Sequence, residues 1–141
     1  MDINLWSGTD YENNINGILN ISSNLEVKPS NLWSYIGENS IYIKSLQDDY
    51  GGVRLKILTL TEGTIVTANM KILHTKGTEL YARIYETENG THTSVNIPVC
   101  ENIIDFEISR TITTDTDVTL GIVSRKNGNE VYIDDITLTT S

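Results

Sequence analysis

The chain has 141 residues, 38% of them hydrophobic and 21% charged, which suits one globular domain over residues 1–141 and leaves no room for a second large one. Its formal net charge of −9 argues against nucleic acid as a partner, because that binding depends on Lys and Arg neutralising phosphates. No apolar run is long enough to span a membrane, and Met1-Asp2-Ile3-Asn4 opens without the basic and apolar regions of a secretory signal.

In chain order, Asn4-Leu5-Trp6-Ser7-Gly8-Thr9 is a short apolar piece ending in turn residues, followed by Asp10-Tyr11-Glu12 and a polar loop through Gly17. Ile18 to Ile21 and Leu25 to Val27 are short strand candidates. Leu32-Trp33-Ser34-Tyr35-Ile36 reads as an aromatic-bearing loop or strand, and Ser40 to Leu46 alternates as a strand. A polar loop holding Asp48, Asp49 and Tyr50 leads to Val53, Leu55 and Ile57, which alternate with Arg54 and Lys56. Val66, Ala68, Met70 and Ile72 alternate with Thr67, Asn69 and Lys71; Leu80, Ala82 and Ile84 alternate with Tyr81, Arg83 and Tyr85. Asn89-Gly90 predicts a hairpin turn, since both residues tolerate positive φ. Thr91 to Ile97, Ile104 to Ile108 and Thr119 to Ser124 continue the series, and Asn127-Gly128 predicts a second hairpin into the closing strand. No segment keeps a 3.6-residue period, Ala is scarce, and Thr and Ile are abundant, so the expectation is an all-β sandwich of jelly-roll type with eight to ten short strands.

The closing stretch breaks its own pattern. Val131 and Ile133 share one parity, whereas Ile136 and Leu138 take the other. One sheet face cannot bury both pairs unless an extra residue is inserted, so a bulge is expected at Asp134-Asp135. Two adjacent carboxylates in an apolar strand also need a partner, and a cation such as Ca2+ is one.

Several of these landmarks resemble jelly-roll carbohydrate-binding modules with a galactose-binding-domain-like fold. The opening Asn4-Leu5-Trp6 with Asp10-Tyr11-Glu12 looks like their "NLL…DFE". Gly37 to Lys44 resembles their "SGSYSLKV" strand, Ile65 to Ile72 their "YTVSFYVK" strand, and Val131 to Leu138 their "VYIDDVSL" ending. The Gly-Trp that commonly follows the opening is absent; Gly17-Ile18 stands there instead. The opening is also similar to carbohydrate-binding-like domains of phage tail and baseplate proteins. The resemblance implies a structural Ca2+ joining the N-terminal segment to the last strand, with Glu12, Asp134 and Asp135 as matching acidic positions and backbone carbonyls near Lys44 completing the shell. It also implies a glycan or polysaccharide partner, other virion subunits or a homo-oligomer, and a location on a virion or at a cell surface.

The candidate ligand face is Tyr81, Arg83 and Tyr85, opposite a buried parity, with Asn69 and Lys71 of the preceding strand expected on the same wet face. Trp33, with Tyr35 and Tyr50, is a loop aromatic that could contact ligand. Equally, tyrosines on a wet sheet can pack on one another, and Trp33 can plug the core. Catalysis finds no support: there is no G-x-S-x-G, P-loop or H-E-x-x-H. His74 and His92 read as surface residues beside turns, and Cys100, the only cysteine, as a structural thiol. The expected function is non-catalytic carbohydrate binding; the alternative is a structural tail, fibre or capsid-decoration domain that binds no sugar.

Overall fold

The computed structural model describes residues 3–8, 18–20, 23–32 and 40–141. Alternation of apolar and polar residues builds the described chain entirely from strands: β1 (Ile3–Gly8), β2 (Leu19–Asn20), β3 (Leu25–Ser30), β4 (Ser40–Ser45), β5 (Gly51–Leu60), β6 (Ile65–Lys76), β7 (Leu80–Glu86), β8 (His92–Asn96), β9 (Ile104–Thr111), β10 (Thr116–Ser124) and β11 (Glu130–Thr140). They form two antiparallel sheets. One runs β3-β4-β11-β6-β9, with β1 also paired to β11; the other runs β2-β5-β10-β7-β8. The buried parities face each other and fill the sandwich with Ile41, Ile43, Leu55, Ile72, Ile84 and Ile122, each no more than 2% exposed. Each such side chain contributes roughly 1.5–3 kcal/mol by leaving water.

β11 is the centre of the larger sheet. Its first half pairs with β4, from Glu130 opposite Lys44 to Ile133 opposite Ile41, and its second half pairs with β1, from Ile136 opposite Gly8 to Thr140 opposite Ile3. Between the halves the register with β6 shifts: Asp134 faces Lys71, and Thr137 faces Asn69. Asp135 sits in that bulge at φ 50°, and Val131, Ile133, Ile136 and Leu138 are all buried. The parity conflict in the sequence is thus resolved by one inserted residue.

Two sequence expectations are corrected. Asn89-Gly90 does close a hairpin, β7 to β8, with Gly90 at φ 74°. Asn127-Gly128 does not: Gly128 has φ 88°, yet the turn carries the chain from β10 in one sheet to β11 in the other. A positive φ tightens the chain but does not say which strand the next one joins. His74, expected at the surface, is 1% exposed. Its ring nitrogens lie 3.0 Å from the Ile97 carbonyl oxygen and 3.0 Å from Asn129 Oδ1. That environment is assembled from distant segments, which local turn residues do not reveal.

Candidate functional site

β7 alternates fully: Leu80, Ala82, Ile84 and Glu86 point inward, and Tyr81, Arg83 and Tyr85 outward, half-buried. In register, β10 sets Val123, Gly121 and Thr119 beside Tyr81, Arg83 and Tyr85, and β8 sets Asn96, Ser94 and His92 on their other side. β5 adds Arg54 opposite Gly121 and Gly52 opposite Val123. The two glycines leave the middle of the face bare, and a groove of about 410 Å³ opens there, bordered by Tyr50, Arg54, Arg83, Tyr85, Thr87 and Thr119.

Gly121 is fixed by sterics. The β5–β10 register shifts between Leu120 and Gly121, which brings the β5 backbone close, and a Cβ at Gly121 would lie 2.6 Å from the Val53 carbonyl oxygen. The walls are held as well. Arg83 Nε donates to Ser94 Oγ at 3.0 Å, its terminal nitrogen donates to the Tyr50 hydroxyl at 3.3 Å, and its guanidinium lies 5.8 Å from the Tyr50 ring centroid. The Tyr50 N–H in turn donates to Asp49 Oδ1 at 2.7 Å, and Asn24 Nδ2 donates to the Tyr50 carbonyl at 2.6 Å. Tyr85 stacks against His92 with ring centroids 6.2 Å apart. The groove thus offers two aromatic rings and the Arg83 guanidinium in nearly fixed positions, with the Arg54 guanidinium and threonine hydroxyls beside them.

Of the residues singled out from the sequence, Arg83, Tyr85 and the loop aromatic Tyr50 line this groove, and Tyr81 shares the β7 face without lining it. Asn69 does not share it. It lies on β6 in the other sheet, between Thr137 and Glu107, so the expectation of a common face is corrected. There it borders a second hollow of about 360 Å³ with Lys71, Asp105, Asp135 and Thr137. Strand parity says which face of its own sheet a residue takes but not which sheet the strand enters. Trp33 and Tyr35 lie outside the described residues. Arg54 and Thr119 were not singled out from the sequence; Arg54 carried the same signal as Arg83, alternation with buried Val53 and Leu55.

On the opposite sheet, Asp134 is fully buried and accepts the N–H of Asp135 at 2.9 Å. Two adjacent carboxylates, one of them enclosed at a bulge, are hard oxygen donors of the kind Ca2+ takes, so these residues fit part of such a site. Glu12 lies outside the described residues, and among the described residues no three His, Cys, Asp or Glu side chains cluster closely enough to hold a metal. Lys44 itself pairs with Glu130, four residues from Asp134, or about 13 Å along the strand, whereas Ile41 of the same strand pairs with Ile133, beside Asp134.

No protein-family model matches the chain, and no curated protein matches it. Solved structures do. Bacteriophage CBA120 tailspike protein 4 superposes with a TM-score of 0.72 at 10% identity, over 91% of this chain and 20% of that one. The CBM22-1–GH10 modules of a Clostridium thermocellum endo-1,4-beta-D-xylanase, complexed with xylohexaose, give 0.71 at 17% identity, over 100% of this chain and 29% of that one. A CBM22-1 xylan-binding domain from Paenibacillus barcinonensis gives 0.65 at 11% identity, over 88% and 85%. The fold is that of the jelly-roll carbohydrate-binding modules. The resemblance noted in the sequence therefore holds at the level of fold, and the chain spans less than a third of the first two of these proteins.

Proposed function

We propose that the protein is a non-catalytic glycan-binding domain that takes a polysaccharide chain in the groove of the five-stranded sheet. The observation that carries this reading is the groove itself, where Tyr50, Tyr85 and Arg83 converge over a floor that Gly52 and Gly121 keep low. Sugar rings present C–H faces that stack on aromatic rings, while their hydroxyls accept from guanidinium and exchange hydrogen bonds with threonine. Arg83 is already oriented by Ser94 and Tyr50, so little ordering entropy remains to be lost on binding. Solved neighbours of the same fold include a xylan-binding domain and a xylohexaose complex, which supports sugar as the ligand class. A glycan array followed by calorimetry on the hits tests it. Tyr85→Ala and Tyr50→Ala should weaken binding about 10-fold or more each, the loss of a stacking contact, with the melting temperature nearly unchanged. An array without hits would end this reading.

The tailspike neighbour supports a place on a virion or cell surface. The second reading, a structural virion domain without sugar binding, rests on the same neighbour. Stable homo-oligomers that mask the Tyr85 face and bind no glycan would select it. We also propose that a Ca2+ ion at the β11 bulge, held by Asp134 and Asp135 with Glu12, ties the N-terminal segment to the last strand. A ligand bound only by the folded state raises its stability by mass action. EDTA should then lower the thermal midpoint, and added Ca2+ should restore it; an unchanged midpoint with no metal by elemental analysis refutes the ion.

A further inference from the structure

We propose that the polysaccharide taken in this groove is acidic, its carboxylate or sulfate groups received by Arg54 and Arg83; this rests on the reading of the groove as a glycan site. The protein has 19 acidic residues against 10 Lys and Arg, so carboxylate partners are plentiful. Arg110 is held by Glu86, and Lys28, Lys71, Lys76 and Lys126 each pair with an Asp or Glu. Arg54 and Arg83 pair with none; Lys44 and Arg125 also lack an ion pair among the described residues, but neither borders the groove. The Arg83 side chain is held only by neutral groups, and the Arg54 side chain makes no hydrogen bond or ion pair among the described residues.

Both arginines nevertheless stand in one concave site. Gly121 faces Arg54 on one side and Arg83 on the other, so the guanidinium-bearing strands lie two strand spacings apart, about 10 Å. No Asp or Glu lines the groove among the described residues. Asp49, beside Tyr50, accepts the Tyr50 N–H, and Asp117 of β10 accepts from Thr59 Oγ1 of β5. Two half-buried, uncompensated cations in a hollow form a positive spot on a strongly negative molecule, and a neutral sugar would leave them unneutralised. The planar guanidinium fork matches a carboxylate in two parallel hydrogen bonds, and its charge attracts sulfate as well. A polyanionic chain approaching this acidic protein is repelled elsewhere, so the groove also selects where it lands.

Calorimetry of the full chain with oligogalacturonate, its fully methyl-esterified form, a sulfated galactan oligosaccharide and xylohexaose separates the possibilities. The free acid or the sulfated galactan should bind at least 10-fold tighter than its neutral counterparts, and that advantage should shrink as salt rises. Arg54→Gln and Arg83→Gln should each lose about 10-fold toward the acidic ligand and a smaller factor toward a neutral one, whose hydroxyls lose only an ordinary hydrogen bond. Preference for the sulfated over the carboxylated ligand, or the reverse, supports the proposal and identifies the anion. The ester comparison needs no variant, so a misfolded substitution does not leave the question open. Equal binding of acid and ester, indifferent to salt, overturns the acidic ligand while leaving glycan binding intact. Failure to bind any of these or any array glycan overturns the glycan reading itself. Retention of a single-stranded oligonucleotide in place of the glycans overturns both.

Discussion

Glu86 shows how one residue can decide the behaviour of a sandwich. It continues the inward parity of β7 and is fully buried. Burial alone would raise its pKa, but hydrogen bonds from the Thr113 hydroxyl, Arg110 and the Thr113 N–H outweigh that and hold it below the ordinary carboxylate value. Arg110 reaches it from β9, in the other sheet, at 2.7 Å, while also donating to Thr93 Oγ1 at 3.0 Å and Thr91 Oγ1 at 2.8 Å. Since the folded-state pKa is the lower one, the unfolded chain takes up the proton first as pH falls. The stabilisation is complete above the ordinary carboxylate range and is lost as pH drops through the lowered value. Thermal melts in acid should therefore fall more steeply for the native protein than for Glu86→Gln. Glu86→Ala, which strands the Arg110 charge, should cost about 3–5 kcal/mol in a denaturant titration. The alternation of Leu80, Ala82 and Ile84 made the inward parity legible; the partner, 24 residues on, was not. Glu130 follows the same logic more mildly on the outer face. The Tyr42 hydroxyl donates to it at 2.7 Å and, with Lys76, lowers its pKa, while burial and the Glu130 carboxylate push that of Tyr42 up.

At the scale of the element, the β11 bulge was readable from parity alone, because burying four apolar side chains is worth more than one regular ladder position. Its backbone geometry gives a test. Asp135 holds φ 50°, a region that Asp tolerates and β-branched residues do not. Asp135→Ile should lose about 1–2 kcal/mol, and Asp135→Gly little or nothing without metal. Comparing the two melts with and without Ca2+ separates backbone strain from loss of a ligand. If Asp135→Ile melts with the native protein, the bulge carries no such constraint. Strand membership was much less legible than strand existence. Asn69 and Arg83 show the same outward alternation on successive strands, yet the turn between them passes from one sheet to the other, so their faces look in opposite directions. The groove required long-range pairing: Arg54 and Arg83 meet only because β10 inserts between β5 and β7.

Across the whole molecule, four sheet-to-sheet connections converge on Asn129. Its Nδ2 donates to the Thr78 carbonyl between β6 and β7 at 2.8 Å, and to Ser124 Oγ at the end of β10 at 2.8 Å. Its N–H donates to Ser45 Oγ, at the end of β4, at 2.8 Å, and its Oδ1 faces His74, which reaches the Ile97 carbonyl between β8 and β9. Asn129→Ala leaves several of these buried groups without partners, each at about 1–3 kcal/mol, so it should destabilise far more than a surface substitution. Denaturant unfolding measures this; a change within ~0.5 kcal/mol, the range of ordinary surface substitutions, would mean that packing and not this node holds the end of the sandwich.

The central place of β11 has a consequence for how the molecule comes into being. On a ribosome, β1, β4 and β6 all emerge before the strand that joins them. Until Glu130 to Thr140 has been made, their hydrogen-bonding edges facing β11 have nothing to close on. The larger sheet must therefore assemble after most of the chain has been synthesised, in a late step dominated by contacts between residues far apart in sequence. Such folding is slow, and it leaves open edges exposed to neighbouring chains while it waits.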